Sequence, residues 1–346
     1  MSNTVRFGIL GTARIATKVA RAIQASTGGE LHAIASRDAE HATEWARRHE
    51  VPQCFGSYEA LLDAPEIDAV YVPLPPALHC EWTTRAAAKG KHVLCEKPLS
   101  ISVGEAERMV EACRENNVQL MDATMWLHTP READMARHVR SGELGEPRRV
   151  TAAVGIELES YLRNNPPRTP PGANPHQHEL RLQRDLGGGA LMDVGWYCIG
   201  AAQWVFRDLP TRVFGTARYQ GEVDMSFSGM LWYEGERMAS FDCGFDIARR
   251  KWFEIAGTQG SLVCDDFVGP WDVQKQRFWT HDAEARPSEH VSEPAQQELC
   301  MIERFCQAVS SGKKETSWVN RSLDTQRICA ALERSAREDR VVELPR

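Results

Sequence analysis

Lys97 stands in the run His92-Val93-Leu94-Cys95-Glu96-Lys97-Pro98, directly after four residues that read as a strand. The carboxyl end of a parallel strand is where open α/β sheets bind ligands. An ammonium there can give a proton to a carbonyl oxygen whose carbon receives hydride, with Glu96 orienting it and Pro98 stiffening the turn. The same residues also suit a plain surface turn. The second candidate is Gly187-Gly188-Gly189-Ala190-Leu191-Met192-Asp193-Val194-Gly195-Trp196-Tyr197. Its three leading glycines remove side chains where a group must approach closely or the chain must bend. Asp193 and Tyr197 are four residues apart, so on a helix they share one face and can point into one cleft. Otherwise Asp193 serves only as a helix cap.

Gly8-Ile9-Leu10-Gly11-Thr12-Ala13-Arg14-Ile15-Ala16 joins an apolar run to a helix-spaced run through a turn of small residues. Such a turn lets the backbone approach a pyrophosphate seated on the helix N-terminus. Ala13 stands where glycine is usual and is still small. The next strand ends in Ala35-Ser36-Arg37-Asp38. In NAD sites an acid about 20 residues past the glycines accepts from the ribose 2′-hydroxyl. Ser36 and Arg37 instead suit a 2′-phosphate, the first by hydrogen bonding and the second by charge and stacking. NADP is therefore preferred over NAD, unless Asp38 turns inward or Arg37 is simply solvated. His176-Gln177-His178 lies beside the Pro- and Asn-rich stretch 161–176, a lid, an arm or a surface loop. No third ligand joins these histidines, so no metal site is expected. His178 remains a candidate for facing substrate. Of the ten tryptophans, Trp126 and Trp196 are expected near a pocket, because sugars pack on aromatic faces.

Regular elements must position these residues. Arg14–Ser26 has Ile15, Val19 and Ile23 on one helical face, and Leu31–Ser36, Ala69–Val72, His92–Cys95 and Val118–Met121 read as strands. Helical stretches around 41–49, 78–88 and 104–115 alternate with them, which predicts a parallel sheet covered on both faces. After about residue 125 the pattern changes. Runs at 212–216, 225–233, 238–245, 252–256 and 261–264 read as strands with few helices among them, so a mainly antiparallel sheet is expected. Residues 295–310 and 321–337 return to helical spacing. The chain has 346 residues, enough for about two domains. Net charge is −7 and mean hydropathy −0.43. Long-range charge thus disfavours nucleic acid and anionic membrane, and no run of about 18 apolar residues offers a span. The ten cysteines are scattered through apolar runs, and the N-terminus lacks a signal-peptide pattern, so a cytoplasmic protein is expected.

The chain resembles the glucose–fructose oxidoreductase / inositol dehydrogenase / rhizopine-catabolism family (Gfo/Idh/MocA). The resemblance rests on GILGTARIA, Val72-Pro73-Leu74-Pro75-Pro76-Ala77-Leu78-His79, KHVLCEKP, GGGALMDVGWY and Ile255-Ala256-Gly257-Thr258-Gln259-Gly260-Ser261-Leu262, in that order. Tyr197 in the fourth motif is similar to the branch of dihydrodiol dehydrogenases and sugar-ketone reductases. The resemblance implies a Rossmann domain over 1–124 and an α+β domain over 125–346, with an open, mainly antiparallel sheet used in a homodimer or homotetramer. It implies an NAD(P)-dependent oxidoreductase for a sugar, polyol or related diol. Lys97 would be the central acid/base residue, with a cis peptide before Pro98. Tyr197 would be a second donor or the proton donor itself, and Asp193 would position substrate. Pro73, Leu74 and His79 would line the nicotinamide side. Gly8, Gly11, Thr12, Ala13, Arg14, Ile15, Ser36, Arg37, Glu96 and Lys97 complete the expected cofactor set. Two departures bear on the substrate: Leu127 replaces a polar position, and Asp122 stands where Glu is common. A non-catalytic dinucleotide sensor would have no need of Lys97 and Tyr197. A glycosidase holding NAD is not favoured by Ser36 and Arg37.

Overall fold

The computed structural model describes residues 4–166 and 179–345. The first part alternates β1 (Val5–Leu10), α1 (Arg14–Ala25), β2 (Gly29–Ala35), α2 (Ala39–Arg48), β3 (Gln53–Phe55), α3 (Tyr58–Asp63), β4 (Ala69–Val72), α4 (Pro76–Ala88), β5 (His92–Cys95), α5 (Val103–Glu115) and β6 (Leu120–Asp122). These six strands form one sheet in the order β3-β2-β1-β4-β5-β6. Every neighbouring pair in it is parallel. Strand order reverses between β1 and β4, which opens a crevice at their carboxyl ends. β4 is buried along its whole length, as a central strand covered by helices on both faces must be. The expected Rossmann architecture is thus present. β3 has no apolar run of its own; it extends the sheet beside β2.

The second part contains α6 (Pro130–Ser141), β7 (Pro147–Glu157), α7 (Leu158–Asn164), α8 (Trp196–Phe206), β8 (Arg212–Gln220), β9 (Val223–Trp232), β10 (Met238–Gly244), β11 (Asp246–Gly257), β12 (Ser261–Cys264), β13 (Gln276–His281) and β14 (Pro287–Ser292). Then come α9 (Gln297–Ser311), α10 (Ser317–Glu338) and the short β15 (Val342–Glu343). The nine strands order as β14-β13-β12-β11-β7-β10-β9-β8-β15. The β7–β10 pair is parallel and the others are antiparallel. The mainly antiparallel sheet is as expected, but its central strand β7 falls where no strand is read from the sequence.

Among the described residues the chain forms two compact units, 4–129 with 295–323, and 130–294 with 324–345. This differs from the division at residue 124, which places everything after it in one domain. The reason lies in α9. Its apolar face, Met301, Ile302, Phe305 and Cys306, belongs to the same core as Phe7, Val19 and Ile23. Phe305 and Phe7 have ring centroids 5.7 Å apart.

His92 opens β5, and its Nδ1 accepts the Gln119 N–H at 2.8 Å, which fixes the neutral ring. Burial, helped by the Lys314 charge, lowers its pKa to about 4. The unfolded chain therefore takes up this proton first, so stability is full above about pH 6.5 and is lost as pH falls toward 4. In urea denaturation at about pH 7.5 and about pH 4.5, the native protein is expected to lose of order 1–2 kcal/mol more than His92→Gln.

Candidate active site

β1 ends at Leu10, and Gly11 follows with φ 98°. A Cβ on Gly11 would stand 3.0 Å from Leu74 Cδ2 and 3.4 Å from the Tyr58 hydroxyl, so both conformation and space require glycine. The Gly11 N–H donates to Ala35 O at 2.8 Å, tying this turn to the end of β2. Among the described residues, α2, α3 and α5 carry side-chain caps from Asp38, Ser57 and Ser102. α1 starts after Ala13 with no side-chain cap and no acid in its first turn. A helix start left without a competing cap at the carboxyl edge of the sheet suits a phosphate. Thr12 and Ala13 are partly exposed and Arg14 is exposed. Ile15 packs against the core, and Gly8 lies inside β1. A Cβ on Gly8 would meet Leu61 Cδ2 at 2.6 Å, so Gly8 makes room for α3 and not for a ligand.

At the end of β2, the Ser36 hydroxyl accepts the Asp38 N–H at 3.2 Å. Asp38 does not turn inward. Its carboxylate accepts the N–H groups of Glu40 and His41 and caps α2. Arg37 is exposed, and its guanidinium lies close enough to act on the Tyr58 hydroxyl. Burial raises the Tyr58 pKa, and the Arg37 charge opposes that shift. Tyr58, which no motif marks, packs edge-on against Trp82 with centroids 4.8 Å apart. Gly11, Arg37, Tyr58 and Leu74 therefore converge on one crevice. These residues fit a dinucleotide: the start of α1 for the pyrophosphate, Ser36 and Arg37 for a 2′-phosphate.

The same edge continues to β5. Pro73 and Leu74 follow β4 and are buried. His79 is expected to line the nicotinamide side, yet it has no exposed surface. Its Nε2 lies 2.8 Å from Leu74 O, and its Nδ1 lies 3.0 Å from Pro98 O. It braces two turns from behind. Lys97-Pro98 is a cis peptide, as the resemblance implies. Glu96 is partly buried. Its Oε1 accepts the Tyr71 hydroxyl at 2.6 Å and its Oε2 the Lys97 N–H at 3.2 Å. Burial pushes the Glu96 carboxyl up, against the Tyr71 hydrogen bond and the Lys97 charge. Glu96 thus holds Lys97 by its backbone as well as by charge. Tyr71, its buried partner on β4, has no sequence signal.

In the second unit, Leu191–Gly195 forms one wide π-helical turn that runs into α8. From 188 to 204, Asp193 and Tyr197 are the two residues that are not buried. Both are only partly buried, Asp193 on the π-helical turn and Tyr197 at the start of α8. Asp193 is no cap. Its Oδ2 accepts Arg181 Nε at 2.7 Å. Arg181 also donates to Glu179 at 2.8 Å and stacks over the Tyr161 ring at 4.8 Å. Arg181, which carries no signal in the sequence, is thus the ion-pair partner of Asp193. Trp126 and Trp196 are each only 2% exposed, so neither offers a ring face for stacking. His178 and residues 167–176 lie outside the described residues. Among the described residues no three His, Cys, Asp or Glu side chains are grouped to hold a metal, and no helix is long and apolar enough to cross a membrane.

Two family descriptions match the chain: "Oxidoreductase family, NAD-binding Rossmann fold" over residues 5–124 and "GFO/IDH/MocA C-terminal domain" over residues 133–263. D-xylose 1-dehydrogenase (NADP(+)) 2 of Haloferax volcanii is 36% identical over 343 residues, 98% of this chain and 99% of that one. Trans-1,2-dihydrobenzene-1,2-diol dehydrogenase of Xenopus laevis is 30% identical over 76% of each chain. Among solved structures, the 3-ketoreductase KijD10 of Actinomadura kijaniata, in complex with NADP and TDP-benzene, superposes with a TM-score of 0.83. It is 32% identical over 96% of this chain and 98% of its own. That enzyme is also solved with a lysine replaced by alanine and with a tyrosine replaced by phenylalanine. The chain belongs to the Gfo/Idh/MocA family and is an NAD(P)-dependent oxidoreductase acting on CH–OH groups.

Proposed function

We propose that this enzyme prefers NADP and acts on a sugar, polyol or related diol or ketone, with Lys97 and Tyr197 as its acid/base residues. The observation that carries this reading is the linked carboxyl edge of the first sheet. Arg37 meets Tyr58, Tyr58 and Leu74 close on Gly11, and His79 braces Leu74 to Pro98 beside Lys97. When bound, the nicotinamide supplies the hydride acceptor or donor. Ser36 and Arg37 hold the 2′-phosphate, and the Gly11–Ala13 turn holds the pyrophosphate. Lys97, steadied by Glu96, gives or takes the proton at the substrate oxygen. Tyr197 serves as a second donor. Asp193, held by Arg181, accepts from a substrate hydroxyl, which suits a polyhydroxylated ligand. D-xylose and trans-1,2-dihydrobenzene-1,2-diol are the first substrates to try.

Copies of the chain pair through the outer face of the nine-stranded sheet in this reading, as a homodimer or homotetramer. Phe214, Met230, Trp232, Met238 and Trp252 alternate with the buried positions of their strands and share that face. All ten cysteines are free thiols and eight are buried, which accords with a reducing, cytoplasmic setting.

The cofactor assignment is tested by tryptophan-fluorescence titration with NADPH and NADH. Arg37→Ala removes a charge-assisted hydrogen bond, so NADPH is expected to bind about 10–30-fold more weakly while NADH is unchanged. Preference for NADH, unaltered in the variant, would contradict it.

A further inference from the structure

Asp224 is a buried acid on β9, within the buried run Val223, Asp224, Met225, where the register of β8 slips between Arg218 and Tyr219. A buried carboxylate needs donors. Its Oδ2 accepts the Leu191 N–H at 2.7 Å. Leu191 opens the turn that carries Asp193 and leads into Tyr197. The first N–H groups of a helix have no partner within it, and Ala190 supplies no side-chain cap. Asp224 supplies one from 33 residues away.

The glycines of the motif are cut to this contact. Gly189 has φ 124°, and a Cβ there would stand 2.1 Å from Asp224 Oδ1. A Cβ on Gly188 would meet Arg181 O at 2.6 Å, and one on Gly195 would meet Cys243 Sγ at 3.0 Å. Thus at Gly188 and Gly189 the group that approaches closely is the protein itself. Asp224 and the backbone and side chain of Arg181 grip the helix start from two directions. The charged and titratable groups facing Asp224 are Glu333 and Cys329 on α10, Arg184, Tyr219 on β8 and Cys243 on β10.

We propose that Asp224 is a positioning residue for turnover: seated on the Leu191 N–H and fitted against Gly189, it sets where Asp193 and Tyr197 stand. This rests on the reading that those two residues act on substrate. A misplacement of about 1 Å at a reacting group lowers turnover by about a hundredfold.

The test compares the full-length protein with Asp224→Ala and Asp224→Asn. The readouts are hydrogen exchange in the 189–197 segment, NADPH affinity, and kinetics with NADP+ and D-xylose or trans-1,2-dihydrobenzene-1,2-diol. In Asp224→Ala, exchange in 189–197 is expected to quicken by about tenfold or more while the 5–35 segment keeps its native rate. The kcat is expected to fall by about a hundredfold with KM and NADPH affinity within about threefold. Asp224→Asn keeps an acceptor oxygen and is expected to restore most of the protection and kcat. Native exchange and kcat in Asp224→Ala, or no rescue by Asp224→Asn, would overturn the proposal. If Asp224→Ala does not fold, Asp224→Glu decides. Its longer carboxylate displaces Leu191, so quickened exchange in 189–197 with native NADPH affinity supports the proposal, and native exchange overturns it. If neither D-xylose nor trans-1,2-dihydrobenzene-1,2-diol is turned over, the substrate reading fails, while the exchange comparison still decides the role of Asp224.

Discussion

Lys97→Ala is expected to lower kcat about a thousandfold, within the range for loss of a positioned proton donor, while NADPH affinity stays within about fivefold. The two effects separate because the contacts assigned to the cofactor lie mainly elsewhere. The Gly11 turn, Ser36, Arg37 and Leu74 hold together through Tyr58 and the end of β2, without the Lys97 side chain. Lys97 stands after β5, its backbone N–H fixed by Glu96 and its peptide to Pro98 cis. Lys97→Arg should not restore turnover. A guanidinium keeps its proton at any working pH, so it can hold charge without exchanging a proton. Steady-state kinetics alongside NADPH titration check both statements. Turnover within tenfold of the native rate in Lys97→Ala would move the proton to another group, Tyr197 first.

Arg131→Met is expected to lower the stability of the second unit by about 3–5 kcal/mol. Arg131 sits in the first turn of α6 with its side chain 3% exposed, and Asp266, after β12, is 6% exposed. The guanidinium pairs with the Asp266 carboxylate and donates to Asp266 O at 3.1 Å. The other carboxylate oxygen accepts the Trp271 N–H at 2.5 Å. Removing the arginine leaves a buried carboxylate with the Trp271 N–H, a weak Cys264 thiol contact and only the field of Lys251 as countercharge. The double replacement Arg131→Met with Asp266→Leu removes both charges and should recover part of the loss. Denaturant unfolding of the three variants measures this. A loss below about 1 kcal/mol in Arg131→Met would mean that water reaches the pair.

What local pattern can encode was legible in the chain. β1, α1, β2, β4 and β5 announce themselves by apolar runs and helical spacing, and their order places Gly11, Arg37 and Lys97 at one edge of a parallel sheet. The π-helical turn that carries Asp193 was not legible, because the spacing to Tyr197 reads as an ordinary α-helix. What was not legible depends on distant partners or on weak patterns. β7 reads Pro-Arg-Arg-Val-Thr-Ala-Ala-Val-Gly-Ile-Glu, and alanines and a glycine at the sheet centre carry little strand preference. Tyr71 meets Glu96, Arg181 meets Asp193 and Asp224 meets Leu191 across 25, 12 and 33 residues, with no local signal of the contact. Burial misled in the other direction. His79, Trp126 and Trp196 have residue types suited to ligand contact, but the fold uses them as internal supports. Gly8 belongs to the same class, a packing glycine inside a motif read for phosphate.

Hydride transfer between NADP and a polyhydroxylated substrate, with Lys97 moving the proton, is the activity proposed for this chain. The most direct measurement follows reduced nicotinamide by absorbance after mixing the protein with NADP+ and either D-xylose or trans-1,2-dihydrobenzene-1,2-diol. Native protein, Lys97→Ala and Tyr197→Phe are run side by side. Reduced nicotinamide is expected from at least one of the two substrates with native protein, little from Tyr197→Phe and almost none from Lys97→Ala. Tight NADPH binding with no reduced nicotinamide from either substrate, or native rates in Lys97→Ala, would contradict the proposed activity.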